Sequence, residues 1–144
     1  MAEIQRHIDF LVKTNPIFNK AQFGVKKEVI CVYDFAVDTG AVGTYVLCKL
    51  PDNTIITNVL LDVITAFTST GGTGTVALMA NTANDLLSAI DADTLSAIHA
   101  GIPVGTAASA VKLTADRDIT LSIATAAVTA GKVAIHIEYF EGGQ

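Results

Sequence analysis

Residues 35–46 read Phe-Ala-Val-Asp-Thr-Gly-Ala-Val-Gly-Thr-Tyr-Val, and Asp38-Thr39-Gly40 within them has the makings of a reaction centre. An aspartate carried on a glycine-closed turn can meet an identical aspartate from a second chain. Two carboxylates that close share one proton, because like charges side by side cannot both ionise, and the pair can then activate water. The same chemistry needs a glycine-rich hairpin over the substrate and an apolar loop behind the site. Gly71-Gly72-Thr73-Gly74 has the composition of such a hairpin. Pro103-Val104-Gly105 imitates the supporting loop only loosely, since proline stands where an apolar residue belongs. Yet Asp and Gly are also what an ordinary turn between two strands requires.

The remaining candidates for chemistry have plainer readings. Asp91-Ala92-Asp93 and Asp116-Arg117-Asp118 could offer carboxylates to a hard cation, but neither continues into a loop with a glycine and a distal glutamate, so both read as solvated turns. His7, His99 and His136 are scattered, and no Ser or Cys sits in a nucleophile motif. The glycine-rich stretch lacks the lysine of a phosphate loop, and no Cys/His spacing suits zinc. No metal and no cofactor is expected, and the chain reads as a non-enzyme. A retropepsin-like aspartic protease using Asp38-Thr39-Gly40 is the last of three functional readings. Cys31 and Cys48 fall inside expected strands. A tight turn at Thr39-Gly40 would set them opposite one another and a longer one would not; two reduced core thiols are the expectation, with a disulfide left open.

The elements that must position these residues are strands. The chain has 144 residues, 51% of them hydrophobic and 16% charged, against about 25% charged in an ordinary soluble domain. Its apolar content is Val, Ile, Leu and Ala, mixed with Thr, which favours sheet over helix. Alternation marks strands over 29–37, 44–50, 54–67, 75–80, 111–114, 119–123 and 131–140, with a short edge strand near Ile98. Glycines 71, 72 and 74 are expected to reverse the chain so that 75–80 returns. Asn84 as N-cap before Asp85-Leu86-Leu87 makes 84–90 the one helical candidate of the body. Seven or eight short strands with short turns predict an all-β fold, an antiparallel β-sandwich or jelly roll.

Charge divides the chain. Residues 1–27 hold five basic and two acidic side chains, a net +3, whereas 28–144 hold four basic and twelve acidic, a net −8. The reading is an N-terminal arm over 1–26, extended or partly helical, followed by a β-sandwich domain over 27–144. An acidic body argues against nucleic acid as a partner. Residues 63–84 and 94–111 carry no Asp, Glu, Lys or Arg, but Gly, Thr and Pro interrupt both, so neither is expected to span a membrane. Residues 1–9 alternate charged and apolar side chains, so no signal-peptide core is expected there. A surface so poor in charge is expected to be covered by other chains.

One resemblance rests on particular stretches. Tyr33-Asp34-Phe35-Ala36-Val37-Asp38-Thr39-Gly40-Ala41-Val42-Gly43, then Leu50-Pro51-Asp52-Asn53-Thr54-Ile55-Ile56, then Phe67-Thr68-Ser69 and Thr75-Val76-Ala77-Leu78, resemble small structural proteins of tailed-bacteriophage virions, above all head decoration (cement) proteins. The likeness covers roughly 29–141 and consists of sheet and turn patterns. It implies a sandwich or jelly roll, often trimeric, made in the host cytoplasm and seated on the capsid surface, with the major capsid protein as partner. Ile4, Ile8, Leu11, Phe18 and Phe23 would then be the apolar anchors of a gripping arm. Sheet faces bearing Thr120, Ser122, Ala124 and Ala126 would meet sister subunits. A tail, fibre or receptor-binding sandwich is the second reading.

Overall fold

The computed structural model describes residues 25–101, 103 and 110–142. Their fold is all-β. Nine strands run in chain order: β1 (Lys26–Asp34), β2 (Gly43–Leu50), β3 (Thr54–Ser69), β4 (Thr75–Met79), β5 (Leu87–Asp91), β6 (Ile98–Gly101), β7 (Val111–Lys112), β8 (Arg117–Ala124) and β9 (Val128–Glu141). One helical turn, α1 (Phe35–Asp38), separates β1 from β2. The strands form two antiparallel sheets. The first has the order β1-β9-β3-β6, with β7 also paired to β3; the second has the order β2-β8-β4-β5. Consecutive strands mostly alternate between sheets, so the chain winds around the sandwich as a jelly roll does.

Period-2 alternation builds the core between the sheets. Cys31 and Tyr33 of β1 lie beside Ile135 and Val133 of β9 in register, and Leu61 of β3 is the neighbour of Ile135 on the far side. Facing them from the second sheet are Ile119, Leu121 and Ile123 of β8 with Val76 and Leu78 of β4. These side chains are at most 4% exposed, so each contributes the larger part of its transfer free energy, about 1.5–3 kcal/mol per large apolar side chain. Tyr33 anchors one end: its ring stacks on Phe67 at 5.8 Å and meets Tyr45 of the opposite sheet edge-on at 5.5 Å.

Four expectations are corrected here. β1 stops at Asp34 instead of running to 37, because the Asp34 carboxylate accepts from Ala36 N and caps a helical turn. The helix expected over 84–90 is absent. Asp85, 4% exposed, instead accepts from the backbone N–H groups of Ala80, Asn81 and Thr82, which ties the preceding loop in place, and Leu87 opens β5. The glycine segment after β3 does not fold β4 back beside it. A 3-10 turn (Thr70–Gly72) carries the chain across to the second sheet, where β4 pairs with β5 and β8. Gly131 lies within β9 rather than at its start. It has φ 146° and lies under Phe67, where a Cβ would come within 2.6 Å of the ring.

Candidate functional site

Asp38 belongs to the corner between β1 and β2. Its Oδ2 accepts from the backbone N–H of Asp34 at 2.9 Å, so the carboxylate closes its own helical turn. Thr39 follows with φ 67°, and its carbonyl accepts from the Tyr33 hydroxyl at 2.6 Å. Gly40 is required by close approach: its carbonyl accepts from Val128 N at 2.8 Å, and a Cβ there would lie 2.0 Å from the Val128 carbonyl oxygen. Every residue of the Asp-Thr-Gly motif thus has a structural duty within its own chain.

The glycine-rich segment behaves likewise. Ser69 donates its hydroxyl to Asp93 and accepts from Gly74 N at 2.8 Å, while Ser69 N donates to Asp93 Oδ1 at 3.1 Å. The segment is a pinned crossing between sheets and does not form the hairpin that would cover a substrate. Of the supporting loop, Val104 and Gly105 lie outside the described residues.

The first Asp-x-Asp pair closes its own turn, and the second ties its loop to the turn at Asp52. Asp91 Oδ1 accepts from Asp93 N at 2.9 Å, and Asp116 Oδ1 accepts from Asp52 N at 3.0 Å. Among the described residues no group of three or more His, Cys, Asp and Glu side chains could hold a metal ion. Nor, among them, is any helix long and apolar enough to cross a membrane. His136 pairs through Nδ1 with Glu28 Oε1 at 2.6 Å on an outer sheet face, and His99 is half-buried on β6.

Cys31 and Cys48 are free thiols on different sheets, and they meet across the core. The neighbouring Cys48 thiol and burial together push the Cys31 thiol far up, whereas Cys31 beside it lowers Cys48 against the opposing effect of burial. The expectation that a long turn would keep them apart fails because the strands face each other instead of pairing edge to edge.

What remains is surface. The outer face of the first sheet alternates apolar and charged residues. Ile30 and Val32 of β1 are 57% and 49% exposed, and Ile64 of β3 and Ile98 of β6 are exposed as well. Around them Lys26 pairs with Glu138 at 2.6 Å, and Lys132 with Asp34 at 2.9 Å. Those lysines hold the carboxyls of Glu138 and Asp34 below their ordinary range. The sequence did not reveal these pairs, because the partners stand about a hundred residues apart on β1 and β9. The outer face of the second sheet is different. Thr44 and Val46 of β2, Thr120, Ser122 and Ala124 of β8, and Thr75, Ala77 and Met79 of β4 share it by register. Its charged residues, Lys49, Asp91, Arg117 and Asp118, stand at strand ends. Ala126, expected on this face, lies in the turn after β8. The expected arm anchors Ile4, Ile8, Leu11, Phe18 and Phe23 lie outside the described residues.

No known protein family matches the sequence, and no curated protein does. Solved structures do match. A chain of the acidic stable capsid structure of Helicobacter pylori bacteriophage KHP30 aligns at a TM-score of 0.60 and 18% identity, over 81% of this chain and 87% of that one. The fold is one that phage capsids contain. A chain of the cyanophage Pam1 capsid asymmetric unit aligns at 0.59 and 19% identity, over 85% of this chain and 94% of that one. A chain of the capsid of Ralstonia phage GP4 aligns at 0.56 and 16% identity, over 92% and 93%. The likeness to phage virion proteins expected from the strand and turn patterns is thus borne out in the fold, and it extends over most of each chain.

Proposed function

We propose that this chain is a structural protein of a phage virion, and more specifically a decoration (cement) protein that binds the assembled lattice of a major capsid protein. The observation that carries the reading is the jelly roll shared, over 87–94% of their lengths, with chains of three phage capsids. The surface supports it. Stabilising a shell takes area and complementarity rather than reactive groups, and the Asp38 carboxylate is committed to its own backbone. The proposed role is non-enzymatic.

In this reading the protein, made in the host cytoplasm, binds the outer capsid surface only after the lattice has formed. A ligand that binds the assembled state and not the free subunits raises the lattice's stability by mass action, by about 2.7 kcal/mol per site when present at a hundred times its Kd. Residues 1–26 form the gripping arm, with Ile4, Ile8, Leu11, Phe18 and Phe23 as anchors. The domain over 27–144 forms a homotrimer, in which the face bearing Thr120, Ser122 and Ala124 meets sister subunits.

Electron microscopy with mass spectrometry of purified particles tests this directly. The expected result is one copy set at every equivalent capsid position, with particles lacking the protein breaking at lower temperature. A few copies confined to the tail would instead establish a fibre or receptor-binding module and refute the decoration role.

A further inference from the structure

We infer that Cys31 and Cys48 are a built disulfide site, able to staple the two sheets of the sandwich to each other. This proposal is independent of the virion reading. Three observations turn both thiols into the gap between facing strands. Cys31 points inward from β1, in register with buried Ile135. Cys48 owes its direction to a β-bulge. Val46 pairs with Thr120 on the outer face of the second sheet, whereas Cys48 pairs with Ile119, which is fully buried. Without the irregularity between them, strict alternation from Tyr45 would turn residue 48 outward. A bulge commonly re-aims a side chain in this way. The third observation is proximity: the backbones of β1 and β2 approach within 8 Å, and nearby Tyr33 and Tyr45 bring their rings to 5.5 Å across the same gap.

The two thiols differ in access. Cys31 is 4% exposed, while Cys48 is only half-buried. Cys48 is therefore the attacking thiolate and Cys31 the resolving thiol. With oxidised glutathione as the oxidant, the Cys48 thiolate attacks one sulfur, forms a mixed disulfide and expels a glutathione thiolate. Cys31 then attacks the Cys48 sulfur of that mixed disulfide, and its proton leaves with the second glutathione, now a thiol. One Cys31–Cys48 bond has formed and one glutathione disulfide has been reduced. The bond links residues in different sheets and closes a loop that contains α1 and the Asp38 corner. A glutathione pool kept reduced, as in the cytosol, leaves such a pair open, and oxidising surroundings close it.

The test incubates the full-length protein with oxidised glutathione under native conditions, followed by intact mass and non-reducing peptide mapping. The expected result is a loss of two hydrogens, a single cross-linked peptide joining Cys31 to Cys48, and a Tm higher by roughly 5 °C that returns on reduction. Cys48→Ser should abolish both changes. A stable glutathione adduct on Cys48 without ring closure, a disulfide between two chains, or two thiols still free to alkylate would each overturn the proposal. The chemical readout is made on the unmutated protein, so it stands even if a cysteine variant folds poorly.

Discussion

The two outer faces of the sandwich cover the same core and are made of different chemistry. The first sheet shields exposed Ile30 and Val32 with paired charges, Lys26 with Glu138 and Lys132 with Asp34. The second sheet presents Thr44, Val46, Thr120, Ser122 and Ala124, with its charges confined to strand ends. A partner lying on the first face would have to strip water from several ions, which costs more than their remaining attraction returns unless each finds a new partner. A partner lying on the second face desolvates only hydroxyls and methyl groups. The Thr120 hydroxyl is already buried there without a partner among the described residues. The difference teaches that association is least costly over the second sheet, and that the first is equipped to stay wet.

Four experiments would break or sharpen that contrast. The largest effects should come from the shared core, where the faces ought not to differ. Leu121→Ala and Ile135→Ala, each removing a fully buried side chain, should cost about 3 kcal/mol apiece in denaturant unfolding. A twofold or greater disparity would mean that one sheet is stabilised mainly from outside the core. Next comes charge insertion. Ser122→Lys should lower self-association or particle occupancy at least tenfold, about 1.4 kcal/mol, whereas Ile30→Lys should leave both unchanged. Light scattering and particle composition measure the two, and equal losses would erase the distinction.

The third experiment is acid. The Asp34 and Glu138 carboxyls sit below their ordinary range, chiefly through hydrogen bonds from Lys132 and Lys26. A carboxyl lowered in the folded state stabilises the fold fully above its unfolded value and loses that contribution as pH falls through the lowered one. Stability should therefore begin to fall below roughly pH 5, and Asp34→Asn combined with Glu138→Gln should flatten the slope. Both groups are only half-buried and in reach of water, so the change is small; an unaltered slope would show that the pairs are ornamental. Smallest of all should be Asp38→Asn, which keeps an acceptor for Asp34 N and should shift stability by no more than about 0.5 kcal/mol. If instead it abolished a proteolytic activity, the enzyme reading would return.

The sequence made burial legible and left partners hidden. Ile119, Leu121 and Ile123 alternate with Thr120 and Ser122, and that alternation alone places one set in the core and the other on the surface. Which strand lies beside which is another matter. Nothing local says that β4 belongs with β8 rather than β3, because periodicity reports two faces and never a neighbour. Residues 84–90 show local signals misleading by their success: Asn84 suits an N-cap, but Asp85 meets three amides upstream and the helix never starts. The bulge that turns Cys48 inward was equally invisible, since it depends on the register against β8. The Asp-Thr-Gly motif was readable as a turn because its residue types suit one, although the demand on Gly40 comes from distant Val128.

The two longest strands, β3 with sixteen residues and β9 with fourteen, run antiparallel side by side through the middle of the first sheet. Ladder bonds of an antiparallel pair lie across the strand direction. Tension applied lengthwise is therefore borne in shear by the whole ladder together, while a sideways pull would open it one rung at a time. The molecule has a direction in which it resists stretching best, and that direction is the axis of β3 and β9.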